Sequence, residues 1–194
     1  MNLKPVNAEL RRAVLADEHR FAQGVPRVDP RTAPGVYETS PRRSLITAST
    51  VVVSALIPTL TLYPAGNDGA WWLSTTVRVA DGRRVEIADL FARPTRGLSA
   101  LAVAARSELT AANACVRGSI ADRRTGLANG FLPTTHNYRY FALTTKGLAV
   151  GFPLGQVGFP ICGRAEVTVP YSVVRPYLGP LGRELIQGVR RPLS

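Results

Sequence analysis

Apolar residues recur every three or four positions at Leu3, Val6, Leu10, Val14, Leu15 and Phe21, and the run stops at Gly24 and Pro26, which predicts an amphipathic helix over 3–23. Residues 25–43 hold Pro26, Pro30, Pro34, Gly35 and Pro41, too many breakers for regular pairing, so a surface loop is expected. From Leu45 to Tyr63 β-branched residues dominate, giving one long bent strand or two shorter ones around Pro58. Pro64 to Gly69 turns the chain. Trp71 to Val79 reads as the next strand, and Ala80-Asp-Gly-Arg83 is a tight-turn signal leading into a return strand at Val85 and Ile87.

A second helix is expected over 98–116, with Leu98, Leu101, Val103, Ala105 and Leu109 on its apolar side and Gly118 near its end. The Gly- and Arg-rich stretch 117–137 has few periodic residues and is placed mainly in loop. Phe141 and Leu143 face Leu148, Val150 and Phe152 across Thr144-Thr145-Lys146-Gly147, a hairpin in which Gly147 supplies the positive φ. Glu166, Thr168 and Pro170 alternate with Val167, Val169 and Tyr171 in the period of a strand, and Pro170 should end its pairing. A short helix closes the chain near Leu181 to Val189. About six antiparallel strands in one sheet, with two main helices packed on one side, make an α+β domain.

Composition sharpens this picture. With 194 residues and 45% hydrophobic content the chain can build one well-cored domain, and no linker or charge block divides it. Residues 1–194 therefore read as a single domain with its core in 3–178 and an irregular or short helical tail at 179–194. The longest apolar run, near Val51 to Leu62, is broken by Ser54, Pro58 and Thr59, so no membrane span is expected. The N-terminus lacks the apolar core of a signal peptide; if the protein is exported, its leader lies outside this sequence.

The net charge is +11, but the arginines are scattered as the pairs Arg11-Arg12, Arg42-Arg43, Arg83-Arg84, Arg123-Arg124 and Arg190-Arg191, and Lys4 and Lys146 are the only lysines. A nucleic-acid footprint would gather such charge into one stripe, so no nucleic-acid partner is expected. Anionic cell-wall polymers or acidic lipids suit the charge equally well.

Candidate chemistry is sparse. Cys115 and Cys162 have neither CxxC nor Cys/His spacing, so neither a metal nor a cofactor is implied. Either they form a bridge, closing a loop of about 47 residues for a stabilisation on the order of 4 kcal/mol, or they are two unrelated buried thiols. No Gly-x-Ser-x-Gly elbow is present, and the histidines are His19, on the first helix, and His136, in a loop, so a catalytic triad is not expected. Asp68, Asp81, Glu86 and Asp89 offer acid/base groups, but Asp81 sits in a turn and Asp89 reads as a cap or turn residue. The chain is not expected to be an enzyme. Binding is better served by Asn67-Asp68-Gly69-Ala70-Trp71-Trp72: adjacent tryptophans on a strand point to opposite faces, so one joins the core and the other stays nearer solvent, free to stack on a sugar or anchor a partner. Alternatively, the second tryptophan covers a helix or the Pro-rich loop. His136-Asn-Tyr138-Arg-Tyr140 is a second mixed polar and aromatic patch, in which Tyr138 or Tyr140 can equally be strand packing.

The order Asp81-Gly-Arg-Arg-Val-Glu-Ile-Ala-Asp-Leu-Phe91, a helix, Tyr140-Phe-Ala-Leu-Thr-Thr-Lys-Gly-Leu148, Gln156-Val-Gly158 and Val167-Thr-Val-Pro-Tyr171 resembles the extracytoplasmic domain of RsiV-type anti-sigma factors, a family that also includes secreted mycobacterial immunogenic proteins and actinobacterial proteins of unknown function. The similarity runs from about Leu3 to Leu178, and Asn7 resembles the Asn that opens the family's first helix. The resemblance implies an extracytoplasmic or secreted α+β domain with a sensor-like role and a lysozyme-like protein as partner. It departs from the family at Gly66-Asn-Asp-Gly-Ala-Trp-Trp72, where RsiV-type members carry a Gly-Gly-Ala-His turn, so no role of that His carries over. The family also has a strand ahead of its first helix, whereas two residues precede it here, which suggests a trimmed or mis-assigned start. The family's transmembrane anchor and sigma-binding segment are absent from these residues, so anti-sigma signalling is not expected of them alone. The expectation is a non-catalytic extracytoplasmic binding domain for a lysozyme-like protein or an anionic cell-wall polymer; the alternative is a secreted hydrolase or an accessory of a cell-wall-modifying enzyme.

Overall fold

In the computed structural model, which describes residues 3–24, 36–39, 44–62 and 69–191, the first amphipathic run forms α1 (Lys4–Gly24) as its spacing predicts. Four strands follow: β1 (Val36–Thr39), β2 (Leu45–Ala48), β3 (Val52–Leu62) and β4 (Gly69–Arg78). β3 pairs antiparallel with β4 along one edge and with two short strands end to end along the other, β2 against Val53–Leu56 and β1 against Thr59–Leu62. Pro58 falls in the gap between those two partners, so on that edge no ladder needs its missing N–H. β1 is a correction, because its residues lie inside the stretch expected to be loop; the other Pro-rich positions, 25–35 and 40–43, fall outside the described residues.

After β4 the chain turns at Gly82, whose φ of 68° is one that glycine adopts without steric cost. The return strand is shorter than expected. The Val85 N–H reaches the Thr76 carbonyl (2.8 Å), and then Ile87–Leu90 curls into a 3-10 turn. Asp89 is the cause: its carboxylate accepts the Glu86 N–H (3.1 Å) and holds Arg83 (2.9 Å), so it acts as the cap residue its position suggested.

The second helix begins earlier than expected, at Pro94, and runs as α2 (Pro94–Ala112). Leu98, Leu101, Ala105 and Leu109 are buried, but Val103 is 73% exposed, because it lies about 200° around the helix from Leu101 and off the inward stripe. Asn113 breaks the helix in extended geometry and caps α3 (Ala114–Ala121), its side chain accepting from the Val116 N–H (3.1 Å). Much of the expected loop 117–137 is thus helical, with 3-10 turns at Arg123–Thr125 and Leu127–Phe131 that bury Phe131.

A second antiparallel sheet is ordered β5 (Phe141–Leu143), β6 (Leu148–Phe152), β7 (Ala165–Val169). The β5–β6 hairpin is present, but Gly147 is not among the positive-φ glycines. Thr144 builds the turn by donating to the Gly147 carbonyl (2.9 Å), and a Cβ at 147 would press on Thr168 Cγ2 (3.0 Å) and the Val169 backbone. Pro170 ends β7 as expected, leading into α4 (Tyr171–Val174), a 3-10 turn at Arg175–Tyr177, and α5 (Pro180–Val189). Leu185 and Val189 are fully buried in the main core, so the core extends past Leu178 into the segment expected to be a tail.

The α+β class and antiparallel pairing hold, but the strands form two sheets where one was expected. The reason lies in the serines of β3 and β4. The Phe141 N–H donates to Ser74 Oγ (3.0 Å), which donates to the Phe141 carbonyl (2.6 Å); the Leu143 N–H donates to Ser54 Oγ (2.8 Å), itself hydrogen-bonded to Thr76 Oγ1 (2.7 Å). Hydroxyls replace a neighbouring strand along the free edge of β5, so the edge is satisfied without a ladder. α1 packs on β4 and α2 on β7, each helix covering a different sheet. Cys115 and Cys162 form a disulfide with Cα atoms 5.6 Å apart, tying α3 to the loop before β7; Cys115 is exposed, so the picture of two buried thiols does not apply. Among the described residues no helix is long and apolar enough to cross a membrane.

Candidate functional site

Alternation along β4 puts the two tryptophans on opposite faces, as the sequence implies. Trp72 is 3% exposed and packs with Leu56, Tyr140, Ala142 and Ala149, its indole N–H donating to the Phe152 carbonyl (3.3 Å). The Arg164 guanidinium lies 5.5 Å from the Trp72 ring centre and donates to the Thr59 carbonyl (3.3 Å). Trp71 is 38% exposed and is the tryptophan a ligand can reach. Asn67 and Asp68, the other members of that predicted patch, fall outside the described residues.

The second patch does not join Trp71. Tyr138 is completely buried, donates its hydroxyl to the Phe131 carbonyl (3.1 Å) and meets Phe152 edge-on at 5.9 Å; burial pushes its phenol well above the usual range. It is therefore a core residue, the packing alternative for that position. His136 is exposed, and its carbonyl accepts from the Arg139 guanidinium (2.8 Å), which stacks 4.5 Å above Tyr140. Arg139 and Tyr140 line a cavity of about 110 Å³ with Trp72, Arg84 and Ala13 and Ala16 of α1, so this patch converges on the buried tryptophan.

The candidate acids among the described residues are engaged. Asp81 accepts the Arg83 N–H (3.1 Å) and pairs with Arg78 (3.4 Å), Glu86 pairs with Arg84 (3.1 Å), and Asp89 with Arg83 (2.9 Å). Among the described residues no group of three His, Cys, Asp or Glu side chains is placed to hold a metal ion. A concave surface that sequence reasoning missed lies between α4 and α5, where Arg175, Arg183 and Arg190 converge. The spacing of 183, 187 and 190 on one helix face was a readable signal; that α4 would stand opposite was not.

No family model matches the chain, and no curated protein matches it. A crystal structure of a member of the DUF3298 family from Bacteroides fragilis NCTC 9343 is similar, with a TM-score of 0.55 at 15% identity, covering 96% of this chain and 68% of that one. DUF3298 is the family of RsiV-like domains, and at this identity the similarity establishes a shared fold: the chain is built as a DUF3298-like α+β domain with a Cys115–Cys162 disulfide.

Proposed function

We propose that this chain is a non-catalytic, extracytoplasmic binding domain whose ligand is an anionic cell-wall polymer. The observation that carries the reading is its charge: 24 Lys and Arg stand against 13 Asp and Glu, and Glu9, Asp81, Glu86, Asp89, Asp122 and Glu184 are already in ion pairs with arginines. The surplus positive charge favours a polyanion. The disulfide supports the compartment, since such bonds persist where the environment is oxidising. A protein partner is the second reading, favoured by the exposed Trp71. The family resemblance points there to a lysozyme-like protein, although two basic surfaces would slow their encounter.

Cosedimentation with purified cell walls, intact or stripped of anionic polymer, tests the proposal as ionic strength rises from about 0.05 to 0.5 M, across which the screening length shortens severalfold. The expected result is binding to intact walls that falls steeply with salt. Equal binding to stripped walls retires the polymer, and saturable one-to-one heat with a lysozyme, lost in Trp71→Ala, would install the protein partner instead.

A further inference from the structure

Among the described residues, the groove between α4 and α5 concentrates positive charge with no acid in its lining. It encloses about 270 Å³ between Tyr171, Ser172 and Arg175 on one side and Arg183, Gln187 and Arg190 on the other. Glu184, the one carboxylate of α5, is turned away to Arg78 on β4 (3.0 Å). Three guanidinium groups sharing a concave surface repel one another unless an anion enters, and the low-dielectric wall strengthens both effects.

The fold holds two of these groups in place. Arg183 donates to the Leu178 carbonyl (2.6 Å), and the Arg190 guanidinium lies 5.9 Å from the ring centre of Tyr171, whose buried hydroxyl is anchored on the Thr144 carbonyl (2.8 Å). Arg175 is exposed, and its side chain makes no hydrogen bond or ion pair among the described residues, so its donors are available. Each guanidinium offers a planar fork that matches phosphate or carboxylate oxygens. Ser172 and Gln187 add neutral donors and acceptors suited to hydroxyls, and Tyr171, Leu178 and Ile186 add apolar surface. The volume is below the roughly 300 Å³ at which pockets for whole organic ligands begin, which suits a single unit.

We infer that this groove binds one phosphate- or carboxylate-bearing sugar unit, the arginines taking the oxyanion and Ser172 and Gln187 the ring hydroxyls. The inference rests on the anionic-polymer reading for its ligand and names the place where one repeat of that polymer docks.

The test is calorimetric titration of the whole chain at low salt with glucose 6-phosphate, glucuronate and neutral glucose, in wild type, Arg175→Gln, Arg190→Gln and, as a control on the exposed face of α2, Arg106→Gln, alongside the cell-wall cosedimentation. The expected result is one saturable site for an anionic sugar and none for glucose, weakened at least tenfold by Arg175→Gln and by Arg190→Gln and unchanged by Arg106→Gln. A preference for glucose 6-phosphate identifies phosphate as the recognised group, and a preference for glucuronate identifies carboxylate. Undiminished binding in Arg175→Gln, or an equal loss in Arg106→Gln, overturns the groove. Walls bound while both anionic sugars are ignored also overturn it and leave the polymer reading standing; sugars bound in the groove without wall binding support the groove and remove the polymer.

Discussion

Ser74 and Thr75 are adjacent on β4, both buried, and should respond to loss of their hydroxyls with opposite signs. Ser74 Oγ serves two backbone groups of Phe141, accepting its N–H at 3.0 Å and donating to its carbonyl at 2.6 Å. Ser74→Ala strands both, and since one buried unsatisfied group costs about 1–3 kcal/mol, the expected destabilisation is about 3 kcal/mol, the carbonyl being the more tolerant partner. Thr75 points to the other face, and among the described residues its hydroxyl has no hydrogen-bond partner. Thr75→Val keeps the shape and removes that burden, so it should be neutral or stabilising by about 1 kcal/mol. Equilibrium urea unfolding of wild type and the two variants, with slopes held equal, measures the difference. Ser54→Ala, which strands the Leu143 N–H, should behave like Ser74→Ala, and the double variant should fall short of the sum because both release the same edge of β5. Stability of Ser74→Ala within about 0.5 kcal/mol of wild type, the range of ordinary surface changes, would refute the argument that serine hydroxyls stand in for a strand.

Other consequences follow from single features. Opening the disulfide with Cys115→Ser and Cys162→Ser removes a crosslink 47 residues apart in sequence and should cost about 4 kcal/mol in the chain-entropy model, measured by the same unfolding experiment; a cost near zero would contradict it. A Cβ at Gly151 would lie 2.7 Å from the Trp72 indole, so Gly151→Ala should destabilise by about 1–3 kcal/mol and shift the tryptophan emission, whereas unchanged stability with an unchanged spectrum would contradict that contact. Burial raises the phenols of Tyr138 and Tyr171 above their ordinary value of 10.0, so the stability from keeping them neutral is complete below that pH and is lost as pH rises past it. Alkaline unfolding monitored by circular dichroism should be steep above about pH 10 and flatter in Tyr138→Phe; identical profiles would remove Tyr138 from that account.

Features governed by a few neighbouring residues were legible in the chain. Helical spacing located α1 and α2, Thr144 to Gly147 located the β5–β6 turn, Pro170 ended β7, and Asp89 announced a cap, because each depends on bonds made within a few positions. The strand period also required Trp71 and Trp72 to face apart. Which of them is buried was decided by distant residues, since Phe152 on β6 and Arg164 in the loop ahead of β7 take Trp72. Tyr138 read as a surface candidate for the same reason: Phe131 and Phe152, which enclose it, come from other segments.

What the sequence determined by itself is therefore α1, α2, the closing helix α5 and the β5–β6 turn, the antiparallel α+β class, the basic surplus and the availability of two cysteines. Only the tertiary structure decided that the strands divide into two sheets, that Cys115 meets Cys162, that α5 belongs to the core, and that Arg175 faces Arg183 and Arg190 across a groove. Local periodicity records which side of an element is apolar, whereas partner choice depends on contacts between positions tens of residues apart, and no short window of sequence contains both sides of such a contact.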